Sequence, residues 1–308
     1  MSRDLARSGS NTVNAVCQEE WRREVSRLLR SRSRGKPRAY RFCVCLRFAF
    51  TAKRFCARRR GSGRMPGMTR SPTLPDCCPA LAAHWPLPFG LAEVVLVSAR
   101  FDPKKLAVGD FQRCLVEPPA SIQRSVAKRQ AEFLAGRLCA REAMRGLDGR
   151  SHVPVIGEDR APVWPDDITG SITHSTGWAA AIVARKGHWR GLGLDVEQLM
   201  STERAMRLAG EILTPAEMQR LNAGPEHETA KIVTLTFSLK ESLFKALYPI
   251  VLKRFYFEDA ELLEWSDDGN ARLRLKMDLS AHWHAGKELD AQFSVQDGQL
   301  LSLVAIKH

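Results

Sequence analysis

A chain of 308 residues, 44% hydrophobic and 26% charged, is long enough for one large or two small domains. The formal net charge of +13 is spread unevenly: residues 1–70 carry 19 Lys/Arg against 4 Asp/Glu, leaving 28 against 30 for the rest. The globular part is therefore close to neutral and gives no electrostatic reason to expect a nucleic-acid partner there, and no apolar run approaches the about 20 residues of a membrane span.

Residues 1–67 are rich in Arg and Ser, with Arg30-Ser31-Arg32-Ser33-Arg34 and Arg58-Arg59-Arg60 as the densest runs and Arg41–Phe50 as the one apolar patch. Several readings stay open for this segment. It suits a nucleic-acid arm, a membrane-surface anchor or a transit peptide, and equally a stretch outside the working protein, with translation starting at Met65 or Met68. The eight cysteines (Cys17, Cys43, Cys45, Cys56, Cys77, Cys78, Cys114 and Cys139) form no C-x-x-C pair, which argues against structural zinc. The N-terminus shows no secretory pattern, so reduced thiols in a cytoplasmic protein are expected.

From about Asp76 the composition turns globular. Ala92–Ala99 reads as a first strand. After Pro118-Pro119 the spacing predicts a helix over Ser121–Leu147, with Val126, Phe133, Ala140, Met144 and Leu147 along one side. Arg137 shares that side, and a guanidinium among apolar neighbours reaches for a carboxylate or a phosphate. Gly157–Pro162 is a turn that contains Arg160. Ile168–Ser175 and Trp178–Ala184 read as a hairpin, with Thr173-His174 near the end of its first strand. A lone histidine in such a place is more often a structural hydrogen-bonder than a functional group.

A short strand from Gly191 follows, in which Asp195 and Glu197 point to the same side. Helices are expected from Thr202 and from Pro215, the second with Thr214 as its cap. The long helix Glu228–Tyr248 has two apolar stripes: Ile232, Leu235, Leu239, Leu243 and Leu247, then Val233, Phe237, Phe244 and Tyr248. Glu241 falls on the second, and Lys245 lies four residues on along the same face. Strands Phe255–Leu263, Ala271–Lys276, Ala291–Val295 and Leu300–Ile306 complete the chain, the last two joined at Asp297-Gly298. An acid on the helix beside two acids on the strand makes a site for a hard cation, for which Mg²⁺ is the natural occupant. Solvated strand-end charges, with Glu241 paired to Lys240 or Lys245, explain the same spacing equally well.

Five blocks of sequence resemble, in order, the signatures of the 4′-phosphopantetheinyl transferases of the Sfp/EntD type. They are Lys128–Arg137 (KRQAEFLAGR), Ala161–Pro165 (APVWP), Gly170–Ser175 (GSITHS), Gly193–Glu197 (GLDVE) and Phe237–Lys245 (FSLKESLFK). The resemblance covers roughly residues 75–308 and favours reading residues 1–67 as an extension, disordered or outside the translated protein. It implies an α+β fold of two similar halves, 68–195 and 196–308, related by a pseudo-two-fold axis, with the active site between them. It further implies Mg²⁺-dependent transfer of 4′-phosphopantetheine from coenzyme A to a serine of apo acyl or peptidyl carrier proteins, with release of adenosine 3′,5′-bisphosphate. Fatty-acid, polyketide or nonribosomal (siderophore, enterobactin-like) synthesis would be served.

Carried onto this chain, the resemblance makes Asp195, Glu197 and Glu241 the metal ligands. Glu241 and Lys245 become the catalytic pair, and Arg137, Arg160, Thr173, His174, Asp195, Lys240 and Lys245 hold coenzyme A. Arg160 stands where the family often has Lys, and Thr173 where it has Ser; His174 falls where the family contacts the 3′-phosphate. No nucleic acid or membrane span is expected, and a monomer suffices to build the site.

Overall fold

The computed structural model describes residues 74–308; the basic extension, and the expectations attached to it, lie outside them. Residues 74–157 and 162–308 belong to one compact unit, which excludes Glu158–Ala161.

A two-residue strand β1 (Ala82–Ala83) precedes β2 (Val94–Arg100), the first strand expected from sequence. The helix expected over Ser121–Leu147 is broken. After a short α1 (Asp110–Arg113), the chain forms α2 (Ala120–Gln123) and then the long α3 (Ala127–Asp148). Val126 is the extended N-cap of α3 and 74% exposed, not part of its apolar side. The Gln130 side-chain amide donates to the carbonyls of Gln123 and Ser125, so the groups freed by the break are satisfied locally.

Next come β3 (Val155–Ile156), β4 (Pro162–Val163), β5 (Ile168–Ser175), β6 (Trp178–Arg185) and a ten-residue β7 (Trp189–Gln198), longer than the short strand expected. The helices α4 (Thr202–Ile212), α5 (Pro215–Ala223) and α6 (Thr229–Val251) follow. Thr214 and Glu217 form a reciprocal capping box on α5. α6 carries Pro249 inside its last turn and continues past Tyr248, where strands were expected to begin. Strand β8 (Ala260–Trp265) starts late because Phe257–Asp259 forms a 3₁₀ turn; β9 (Asn270–Leu275), β10 (Glu288–Gln296) and β11 (Gln299–Lys307) end the chain. The β10–β11 turn, Asp297-Gly298, has both residues at positive φ (51° and 71°), as a two-residue hairpin loop demands.

Two large antiparallel sheets result, ordered β1-β2-β6-β5 and β7-β11-β10-β9-β8, while β3 and β4 pair by themselves in a two-stranded sheet. Leu134, Leu138 and Met144 of α3 cover one face of the first, against Val97, Ala99, Ala181 and Val183. Leu235, Leu239, Leu243 and Leu247 of α6 cover one face of the second, against Leu273, Leu300, Val304 and Ile306. The remaining faces meet in a third core of Leu96, Ile182, Leu192, Leu194, Val196, Leu301 and Leu303. The layering is therefore helix, sheet, sheet, helix, a mixed α+β arrangement.

Where β5 and β7 adjoin, no backbone ladder joins them. Instead Ser171 Oγ accepts the Leu194 amide and Thr173 Oγ1 accepts the Val196 amide, each at 3.0 Å. Alternate hydroxyls of one strand thus satisfy the amides that β7 turns away from β11.

Candidate active site

Strand alternation sends Leu194 and Val196 into the inter-sheet core and leaves Asp195 and Glu197 on the face toward α6. Helix α6 lies directly on that face because Gly191 and Gly193 have no side chains. A Cβ on Gly193 would come 1.8 Å from the Ser242 carbonyl oxygen, and one on Gly191 would come 2.3 Å from that of Ala246. Small residues on the helix answer them: Ser238 and Ser242 are fully buried and share hydrogen bonds with the Ser302 hydroxyl at 2.8 Å.

This contact brings Lys245 onto Asp195. Lys245 Nζ donates to Asp195 Oδ1 at 2.6 Å and to the Leu194 carbonyl at 3.1 Å, and Ser238 Oγ donates to Oδ2 at 2.9 Å. Beside them Glu197 is pushed up to about 8, first by burial and then by the Asp195 carboxylate, with Glu241 adding and Lys245 and Arg204 opposing. Glu241 itself is half-buried on α6, one turn before Lys245.

Of the three acids expected to grip one ion, Asp195 and Glu241 both lie near enough to Glu197 to raise its carboxyl. Among the described residues no three His, Cys, Asp or Glu side chains are gathered to hold a metal. The physical reason is that Asp195 closes on Lys245 and Ser238. The donor set nonetheless fits Mg²⁺, which takes one or two carboxylates and fills its shell with water and phosphate. Burial first, and then the Asp195 and Glu241 charges, raise the Glu197 carboxyl, and a divalent charge beside it would favour its ionised form.

Lys240, expected to counter phosphate charge, belongs to the core instead. All three of its protons are taken, by Glu217 Oε2 at 2.7 Å, the Phe257 carbonyl at 2.8 Å and the Ile212 carbonyl at 2.9 Å. Thr173 is likewise 3% exposed, and its hydroxyl oxygen accepts the Val196 amide in the β5–β7 brace, which gives it a structural role. Arg160 sits at φ 69° in Glu158–Ala161, outside the compact unit.

The other basic residues converge. Arg137 is 6% exposed, its guanidinium carbon 4.6 Å above the Phe133 ring, and its buried Nε has no partner. Burial, and then the nearby Arg129 charge, lower it to about 10. The carboxylate pairing open to it from sequence is not found among the described residues. Arg129 Nη1 lies 2.7 Å from His174 Nε2, so two guanidinium groups and an imidazole gather where α3 meets the end of β5.

Sequence reasoning missed Arg129, Arg204 and Ser238. Arg129 and Ser238 stand inside the quoted blocks, yet nothing in their spacing separates them from their neighbours. Arg204, whose Nε is buried without a partner, reaches Glu197 only through the packing of α4 on α6. A cavity of about 390 Å³, lined by Trp178, Val196 and Leu301, opens on the other face of β7 and includes none of Asp195, Glu197 and Glu241.

Comparison with known proteins matches residues 117–184 to the 4′-phosphopantetheinyl transferase N-terminal domain and residues 191–302 to the 4′-phosphopantetheinyl transferase superfamily. Enterobactin synthase component D of Escherichia coli (strain K12) is 35% identical over 207 residues, 67% of this chain and 94% of that protein. The 4′-phosphopantetheinyl transferase Svp of Streptomyces mobaraensis is 37% identical over 198 residues, 62% of this chain and 77% of its own. Among solved structures, holo-[acyl-carrier-protein] synthase of Thermotoga maritima is 26% identical at a TM-score of 0.28, covering 38% of this chain and 62% of that one.

Proposed function

The chain belongs to the 4′-phosphopantetheinyl transferase superfamily, and from that premise we propose that it moves the 4′-phosphopantetheine of coenzyme A onto a serine hydroxyl of apo acyl or peptidyl carrier proteins. The serine oxygen attacks the β-phosphorus, the pyrophosphate bond breaks, and adenosine 3′,5′-bisphosphate leaves. A phosphoryl-type transfer asks the protein mainly to position groups and balance charge.

One hydrogen bond carries this reading. By accepting the Val196 amide, Thr173 seats β5 against β7, so the residue after it, His174, belongs to the strand beside Asp195 and Glu197. His174, of a basic cluster for a nucleotide, and Asp195 and Glu197, of an acidic cluster for the reacting phosphates, therefore stand on neighbouring strands. Arg129, Arg137 and His174 hold the 3′-phosphate; a buried guanidinium with an unused donor suits a dianion. Asp195, Glu197 and Glu241 would hold Mg²⁺, which would supply the positive charge that stabilises the pyrophosphate leaving group. Lys245 moves from Asp195 to the phosphate oxygens, and Glu241 accepts the serine proton.

One long helix is laid on each sheet, α3 on the first and α6 on the second, which supports a pseudo-two-fold relation; the boundary expected at 195 falls inside β7, whose whole length belongs to the second sheet. A single chain supplies every group named, so a monomer suffices. Siderophore-type carriers are the acceptors that fit the relatives named enterobactin synthase component D. Among the described residues no helix is long and apolar enough to cross a membrane.

The test is to incubate the purified protein with an apo carrier, coenzyme A and Mg²⁺ and to weigh the carrier by mass spectrometry. A gain of one phosphopantetheine is expected, abolished by chelation. An unmodified carrier, across both acyl and peptidyl types, overturns the proposal.

A further inference from the structure

Resting on the nucleotide site just described, we propose that Glu132 is a positioning residue that sets Arg129 and His174 for the 3′-phosphate, and so sets the preference for coenzyme A over its 3′-dephospho form. Glu132 lies in the first turns of α3, one turn beyond Arg129, with its side chain 11% exposed. Its Oε2 lies 3.5 Å from Arg129 Nη1 and 3.8 Å from His174 Nδ1. Arg129 Nη1 in turn meets His174 Nε2 at 2.7 Å. One carboxylate oxygen thus faces both basic groups at the junction of α3 and β5.

The donors and acceptors fix the state of the ring. A guanidinium has no acceptor, so His174 Nε2 accepts from Arg129 and the imidazole proton sits on Nδ1, toward Glu132. A phosphate dianion has no proton to offer, so His174 meets it only as a donor from Nε2. The ring must then take a second proton from solvent while keeping the one on Nδ1. A carboxylate beside Nδ1 favours that charged ring and holds its plane, as acidic partners do behind a ligating histidine. Arg129, released from Nε2, keeps Glu132 as an anchor one turn away and turns its fork to the same phosphate. Phe133, the next residue, carries Arg137 on its ring, so the third cation is placed from the same turn of helix.

The experiment compares kcat/KM for coenzyme A and for 3′-dephospho-coenzyme A in the wild type, Glu132→Gln, Glu132→Ala and His174→Ala. The second substrate lacks only the phosphate concerned and so separates a lost contact from a damaged fold. In both Glu132 variants the preference for coenzyme A is expected to fall about tenfold, through KM, the size of effect typical of a residue that acts behind a ligating histidine. A preference that stays at the wild-type value in both, while His174→Ala lowers it, overturns the positioning role and leaves the nucleotide site standing. Equal losses on both substrates overturn it too, because they mark a structural role. An unchanged preference in His174→Ala removes the nucleotide assignment and the inference with it.

Discussion

Lys240 and Lys245, five residues apart on one helix, show how environment assigns a role to a side chain. Lys240 is 2% exposed and locked to Glu217, whereas Lys245 is 18% exposed and shares Asp195 with Ser238. Removing the first leaves a buried Glu217 charge, at a cost of about 3–5 kcal/mol. Lys240→Met is therefore expected to lower Tm by about 10 °C while leaving KM for coenzyme A unchanged; Lys245→Met should lose turnover with a smaller fall in Tm, because Asp195 keeps the Ser238 hydroxyl. Calorimetry beside steady-state kinetics checks the pair. Glu241→Gln should cut kcat by about 10²–10⁴-fold with Tm preserved, the range for a lost general base. A variant within twofold of wild type would leave proton transfer without its acceptor.

Glu197 adds a pH dependence. Its carboxyl is raised from 4.5 to about 8, so between these values the folded state keeps a proton that the unfolded chain has released. Stability without divalent ions must then fall as pH climbs through that window. In chelator-treated protein Tm is expected to drop by several degrees from pH 5 to pH 8, and Glu197→Gln should flatten the slope. Mg²⁺ added at pH 8 should restore the loss, since ligands bind metal deprotonated. A flat wild-type profile would contradict the burial of this group among like charges.

At the scale of elements, the pairing of β7 with α6 depends on what is missing from Gly191 and Gly193. Any Cβ at 193 would meet helix backbone, not a flexible side-chain end, so the whole of α6 would have to move. Gly193→Ala is expected to cost about 3 kcal/mol or more and to abolish transfer by lifting Lys245 and Glu241 from Asp195. Gly210, inside α4, has open space around its Cβ position. There the change to Ala should stabilise by about 0.5–1 kcal/mol, as helix propensity alone dictates. Urea unfolding of the two variants makes the contrast, and equal midpoints would refute it. The apolar spacing of α6 was readable because periodicity reports which side chains face a core. The break before α3 was not, because it is decided by Gln130 reaching back to two carbonyls, a contact no hydropathy pattern records.

For the whole molecule, the decisive joint is the pair of hydroxyls that ties β5 to β7. Ser171 and Thr173 replace a ladder, so each carries a buried amide that nothing else satisfies on that side. The double variant Ser171→Ala/Thr173→Val strands both amides, at a cost of about 2–5 kcal/mol. It should also weaken kcat/KM, because the basic and acidic clusters are registered through this joint. Loss of stability with unchanged kcat/KM would show that the two clusters work independently.

By itself the sequence determined the family, the two long helices, and the alternation of β7 that turns Asp195 and Glu197 the same way. Those features follow from local periodicity and from blocks of contiguous residues. Only the tertiary structure decided that Lys240 and Thr173 serve the framework, that Arg129 and Arg204 face the site, and that Asp195 closes on Lys245 and Ser238. Each of those outcomes turns on a partner remote in the chain, and a charge or a hydroxyl has no role until packing fixes which partner lies within hydrogen-bond reach.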